Sequence, residues 1–351
     1  MSRTLESLGS SPALFPYDLD PRGDSISLLR LDRHDYAQAS FLDGRLLQSH
    51  PVLQSLPWSQ AAQAIKSAQL TERCHFIFHI GHVGSTLLAR LIGAHPRALA
   101  LREPQILRTL ARWRSAAGTE PRPSAGAFDE RLTGCLKLLS RTFDVEQRAV
   151  VKTTSFVSEM AAELLSRPAA PKAVMMYVTP ECYLATIMAG PNSRQEAKML
   201  TAARLQRLAR RLGGTAGWRI DSLSEGEALA LGWACEMTAL TAAARVAGER
   251  VMRLDFDRFL RAPAHYFPAV LRHLDIAAGA DEVGAILSGP EMRRYSKAPQ
   301  YAYDTALRDA VLNQARAIDA AEICRGLRWL ERAAVEHPMV REAIAFGLSF
   351  P

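Results

Sequence analysis

Three groups of residues have the types and spacing to do chemistry on an anion. Gly81-His82-Val83-Gly84-Ser85-Thr86 sets two glycines before a hydroxyl pair. Glycine permits backbone turns closed to most residues. The start of a helix presents unpaired N–H groups at the positive end of its dipole. The stretch therefore reads as an anion seat, and equally as an ordinary strand–helix turn closed by a serine cap. It departs from the nucleotide-triphosphate loop G-x-x-x-x-G-K-[ST], because the lysine is missing and the glycines stand closer together. Glu103 supplies a carboxylate suited to taking a proton. Lys152, followed by Thr153 and Thr154, supplies positive charge beside two hydroxyls. Taken singly, Glu103 also reads as a solvated strand end and Lys152 as a surface ion-pair partner.

Each group must be held at the end of a strand. His75 to Ile80 is short, apolar and closed by glycine, as a buried strand is. Leu87, Leu88, Leu91 and Ile92 then recur at helical spacing, and Pro96 stops the helix. Ala98 to Leu101 predicts a second strand ending in Arg102-Glu103-Pro104, Ala149 to Lys152 a third, Ala173 to Val178 a fourth and Arg250 to Phe256 a fifth. Helices are expected over Gln105 to Trp113, Phe128 to Phe143, Ser155 to Leu165, Pro180 to Met188, Arg194 to Leu212 and Glu225 to Val246. Asn192-Ser193-Arg194 reads as a turn after Gly190-Pro191. The alternation implies an α/β fold: three α/β/α layers around a mainly parallel sheet of about five strands, with a helical C-terminal part. The glycine turn, Glu103 and Lys152 then stand at the carboxyl ends of strands, where sites form in such sheets. Residues 71–351 read as the main domain and 1–70 as an accessory region. In the latter, residues 1–24 carry Pro12, Pro16 and Pro21 and read as an irregular arm. A short strand at Ile26 to Leu31, a short helix and turn over Tyr36 to Leu47 and a helix from Trp58 to Leu70 follow.

The chain has 351 residues, 48% of them hydrophobic, and 43 Lys and Arg against 36 Asp and Glu, for a formal net charge of +7. That excess fits an anionic ligand. Arg204, Arg207 and Arg211 share one helix face without interleaved aromatics, which reads as a solvated face and not as a nucleic-acid surface. Cys74, Cys135, Cys182, Cys235 and Cys324 are scattered and form no C-x-x-C pair, so a reducing cytoplasm is expected and a disulfide framework or zinc site is not. No basic-then-apolar leader begins at Met1, and Glu236 and Arg245 interrupt the long apolar run Ala228 to Val246, so neither signal peptide nor membrane span is expected. His75, His79, His82 and His95 lie on a strand and its flanking turns; they read as core or loop histidines, and no metal is expected.

The order of these motifs resembles the P-loop sulfotransferase family over roughly residues 73–300. That family's donor loop, [RK]-x-G-[ST]-T, matches His82-Val83-Gly84-Ser85-Thr86. His95-Pro96 and Glu103 follow as they do in its tyrosylprotein, glycosaminoglycan and many bacterial branches. Val150-Val151-Lys152 resembles the strand that ends in lysine, and Leu254-Asp255-Phe256-Asp257 the later acidic–aromatic strand end. Met292-Arg293-Arg294-Tyr295-Ser296-Lys297 resembles the loop that closes over the donor's adenosine diphosphate. The resemblance implies sulfuryl transfer from 3′-phosphoadenosine 5′-phosphosulfate to a hydroxyl or amine of a small molecule, saccharide or peptide. It implies that Gly81, Val83, Gly84, Ser85, Thr86 and Leu87 cradle the donor, that Glu103 is the base, and that Lys152 and His82 stabilise charge.

Two positions depart from that pattern. His82 stands where the family has Arg or Lys, and an imidazole cannot fork two bonds to a phosphate. Val178 stands where the 3′-phosphate site has Arg, with Thr186 in place of its Ser. Hydrogen bonds to charged groups contribute about 1.5–3 kcal/mol each, so the missing arginine needs a substitute. Arg194, Arg293 and Lys297 are candidates, with Tyr295 and Ser296 beside them. The departures keep two other readings open. One is a phosphotransferase with a modified loop, which would need magnesium and an Asp near Thr86. The other is a non-catalytic nucleotide-binding protein.

Overall fold

The computed structural model describes residues 3–115, 123–214, 217–294, 300 and 304–348. Strands β1 (Leu14–Leu19), β2 (Ser25–Arg30) and β3 (Gln54–Pro57) form an antiparallel sheet in that order. The expected irregular arm therefore holds a helix, Arg3–Ser10, and a strand. Pro16 is tolerated because β1 is an edge strand, and the pairing slips between Pro16 and Asp18 as a bulge. Asp20 closes the β1–β2 turn by accepting from the backbone N–H groups of Arg22, Gly23 and Ser25. Tyr36 to Leu47 divides into a helix, Arg33–Gln38, and a 3₁₀ turn, Gly44–Gln48.

The five apolar runs form a second sheet. Its strands are β4 (His75–His79), β5 (Ala98–Arg102), β6 (Arg148–Lys152), β7 (Ala173–Tyr177) and β8 (Val251–Asp255), in the order β5-β6-β4-β7-β8 and all parallel. Every residue of β4, β5 and β7 is buried. Helices on both faces leave no side for polar residues, which is why these runs show no alternation. The register sets Arg102 opposite Lys152 and Lys152 opposite Ile77. The ends of β5 and β6 therefore lie level while β4 runs on to His79, and the turn after β4 opens between β6 on one side and β7 on the other.

A single apolar core runs from Leu8 to Ala343 and joins the two sheets. Leu229, Trp233, Met237 and Leu240 of helix Glu225–Ala247 form a core stripe. The arginines of helix Pro191–Arg211 differ from expectation. Arg204 and Arg207 are buried and share Glu236 at 3.4 and 2.9 Å, while Arg207 and Arg211 pair with Glu159. Glu236 faces them from the neighbouring helix, so this face is an internal ion-pair seam and not a solvated one. Asn192, Ser193 and Arg194 also differ. They lie within the first turn of that helix, because Pro191 at its first position presets a helical φ. Among the described residues, no helix is long and apolar enough to cross a membrane.

Candidate active site

The glycine turn follows β4 directly. Gly81, His82 and Gly84 take φ values of +88°, +55° and +63°. At Gly84 glycine is favoured twice over, by its positive φ and because an added Cβ would lie 1.9 Å from Cε2 of Phe256. The turn is braced from beneath by buried His79. Its Nδ1 accepts from the N–H of Gly81 at 3.0 Å, so the ring proton sits on Nε2 and is donated to the carbonyl of Thr153 at 2.8 Å. Helix Ser85–Gly93 starts at Gly84 with no side chain capping it. Its first-turn N–H groups face the site as a positive helix end. Thr86 Oγ1 and Thr154 Oγ1 are buried at the same place without a hydrogen-bond partner. Buried hydroxyls are ordinarily satisfied, so both mark where an oxygen-rich ligand fits.

Glu103 and Lys152 come together one strand-width away. Glu103 holds φ +55°, a left-handed conformation costly for a residue other than glycine. Its N–H donates to the carbonyl of Lys152 at 2.6 Å, and the Lys152 ammonium donates to its carboxylate. The Lys152 side chain is 1% exposed and its nitrogen lies 5.5 Å from the centre of the Phe41 ring. Strain at Glu103 is thus the cost of aiming its carboxylate back over the strand ends at a buried cation.

These residues line one cleft of about 1010 Å³, which contains Gly81, His82, Val83, Gly84, Ser85, Thr86, Leu87, Glu103, Lys152 and Thr186. His82 turns toward the start of helix Pro191–Arg211, with Nε2 3.6 Å from Glu196 and Nδ1 3.5 Å from Ser193. Arg194 lies elsewhere: its guanidinium donates to the Met188 carbonyl at 2.7 Å and pairs with Glu225 and Asp319. Arg293 is exposed and does not line the cleft, whereas its neighbour Arg294 does. Tyr295, Ser296 and Lys297 lie outside the described residues. Val178 is fully buried in the core, and its carbonyl accepts from Trp233 Nε1 at 3.1 Å.

The cleft also holds cations that the sequence did not announce. Arg308, from helix Thr305–Ile318, is 5% exposed, lies over the Phe256 ring at 4.8 Å and pairs with Asp257 at 2.6 Å. Asp257 was visible as part of a strand-end motif, but its partner stands 51 residues later with no local signal. Arg204 lines the cleft from the ion-pair seam. Burial opposes its charge, but Tyr183 and Glu236 outweigh it and hold the guanidinium above its usual value. Six Lys and Arg line the cleft against three Asp and Glu, which makes it a seat for an anion.

No protein-family model and no curated protein matches the chain. Three similar solved structures are a sulfotransferase domain from the curacin biosynthetic pathway, a sulfotransferase from Alicyclobacillus acidocaldarius and a sulfotransferase from Mycobacterium avium. The first is 13% identical, covers 72% of this chain and 98% of its own, and gives a TM-score of 0.39. The second is 14% identical over 72% and 94%, with a TM-score of 0.34. The third is 11% identical over 91% and 96%, with a TM-score of 0.40.

Proposed function

We propose that this chain transfers a sulfuryl group from 3′-phosphoadenosine 5′-phosphosulfate to a hydroxyl or amine acceptor, with Glu103 as the base. One observation carries the reading: a strained carboxylate, a buried lysine and an uncapped helix start with an unsatisfied threonine meet in one cleft. The cleft fits the donor's charged end. Thr86 and Thr154 offer two hydroxyls, and the helix start at Gly84 has no side-chain cap on its first N–H groups. Bound there, the nucleotide would supply an anionic sulfuryl group on a phosphate leaving group. Glu103 takes the acceptor's proton as the acceptor oxygen or nitrogen bonds to sulfur. The Lys152 ammonium offsets the charge that appears on the departing oxygen. Arg308 and Arg294 supply the cations that Val178 lacks, with Thr186 beside them. The His95-Pro96 and Glu103 pattern favours the tyrosylprotein- and glycosaminoglycan-like branch.

Calorimetry with 3′-phosphoadenosine 5′-phosphate tests the donor half. The wild type should bind it in the micromolar range. Thr86→Val, which removes a hydroxyl without protein partners and keeps the shape, should weaken binding about tenfold while leaving the urea midpoint unchanged. Glu103→Gln tests the base: it should keep the nucleotide affinity within about twofold and lose at least about a hundredfold in turnover. Absence of nucleotide binding by the wild type would overturn the donor assignment. Near-normal turnover in Glu103→Gln would remove Glu103 from the chemistry.

A further inference from the structure

Beyond Glu103, on the side of the cleft away from Arg308, the wall is built from Phe41, Asp43, Gly44 and Arg45 and the start of helix Gln105–Ser115. The two are tied to the end of β5: the N–H of Leu42 donates to the Arg102 carbonyl at 2.6 Å, and the N–H of Gln105 donates to the Leu42 carbonyl at 2.9 Å. At this corner one carboxylate serves two guanidiniums. Asp43 accepts from Arg45 Nε at 2.8 Å and from Arg108 Nη1 at 3.3 Å. The acid is hidden and the bases are presented, since side-chain exposure is 6% for Asp43, 35% for Arg108 and 55% for Arg45. Burial works against the Asp43 charge, but Arg45 and Arg108 outweigh it and hold its carboxyl below its usual value. The next carboxylate, Asp18, is occupied by Thr109 and Gln105, and burial pushes its pKa up. Glu103 is committed to Lys152. At the corner itself, Arg45 and Arg108 bring two positive charges to the single negative charge of Asp43. Among the described residues, Arg45 Nη1 and Arg108 Nε and Nη2 have no hydrogen-bond partner. Two guanidiniums with spare N–H groups in a cleft wall form a fork for a planar or tetrahedral oxyanion.

We propose that the acceptor carries an anionic group of its own, a carboxylate or a phosphate or sulfate ester, which Arg45 and Arg108 hold while its hydroxyl or amine faces Glu103. The assignment rests on the transfer reaction proposed above for the reacting end of the acceptor. The anion fork itself is testable without turnover.

The test is arginine-specific modification of the full chain by phenylglyoxal, with rates read at each arginine by peptide mass spectrometry. Benzoate, phenyl phosphate and neutral benzamide are compared, with and without 3′-phosphoadenosine 5′-phosphate. Benzoate or phenyl phosphate should slow modification of both Arg45 and Arg108 severalfold, benzamide should not, and exposed Arg325 should react at one rate throughout. In Arg108→Gln the benzoate or phosphate concentration that half-protects Arg45 should rise about tenfold. The preferred anion distinguishes a carboxylate from an ester of phosphate or sulfate. Equal protection by benzamide, or no protection by either anion, overturns the fork. Failure of the nucleotide to bind, with the protection intact, would strike the donor reading and leave the fork standing.

Discussion

Gly84→Ala should destabilise the fold through backbone strain and one ring contact, and the contact can be isolated. Two costs add at this position. At φ +63° an alanine pays the left-handed penalty of roughly 1–2 kcal/mol. Its methyl would also meet the Phe256 ring at 1.9 Å, and forcing a ring aside in a packed core costs about 1–3 kcal/mol. The single variant should therefore lose about 2–5 kcal/mol of stability. Phe256→Ala removes a side chain only 3% exposed and should itself cost about 3–5 kcal/mol. In that background the methyl has space, so Gly84→Ala should cost only the backbone penalty of about 1–2 kcal/mol. Arg308 loses its ring contact in both Phe256→Ala proteins, so that loss cancels. Urea unfolding of the four proteins gives the coupling directly. If Gly84→Ala costs the same in both backgrounds to within about 0.5 kcal/mol, the ring does not hold the turn in place and this account of the glycine fails.

Two further perturbations test the interior. Glu236→Gln keeps shape but leaves Arg204 and Arg207 buried without their shared carboxylate; it should cost about 3–5 kcal/mol in urea unfolding, and a cost below about 1 kcal/mol would show that the seam does not depend on that charge. His75 makes stability fall in mild acid. Burial, and then Arg148, pull its pKa from 6.5 to about 4 in the folded chain, against Asp275. Its Nδ1 already accepts from the N–H of Lys172 at 3.1 Å, so a second ring proton has no acceptor there. The folded state then holds fewer protons than the unfolded one between pH 6.5 and 4. Stability is unaffected above that window and falls as the pH drops through it, by up to about 3 kcal/mol. His75→Asn should flatten this slope in urea midpoints taken at neutral and mildly acid pH, and a profile parallel to the wild type would contradict it.

What was legible in the sequence follows from where the physics is local. His75–His79, Ala98–Arg102, Arg148–Lys152 and Ala173–Tyr177 are short runs with apolar centres, and each became a strand of the parallel sheet, as did the half-buried edge strand Val251–Asp255 despite Arg253 at its centre. A strand buried on both faces leaves that mark in any short window. The glycine turn was legible for a similar reason, because the conformation that needs glycine is set by neighbours in the chain. β1 was hidden by its proline, which an edge strand accepts and a central strand would not. The pairing of Arg204 and Arg207 with Glu236 was hidden because a buried arginine and a solvated one look alike until the partner helix is known. Arg108 with Asp43, 65 residues apart, and Arg308 with Asp257 were hidden for the same reason.

The wall that carries Asp43 and Arg45 is not a loose flap. Arg102, the last residue of β5, is 2% exposed and donates to the backbone carbonyls of Tyr36, Ala37 and Ala39. Burial, with Arg90 beside it, pulls its pKa down to about 10 against Glu291, so the charge is still held at neutral pH, hydrogen-bonded to three backbone carbonyls. Arg90 adds bonds to the carbonyl of Gln38 and the hydroxyl of Ser40. Moving the 36–43 segment would strip buried Arg102 of its three carbonyl acceptors, and a buried charge without its partners costs several kcal/mol. The same backbone that ends in Arg102 continues into Glu103. The carboxylate over the strand ends and the arginine fork beyond it are thus positioned by one buried joint. Any acceptor that reaches both must match the spacing which that joint fixes.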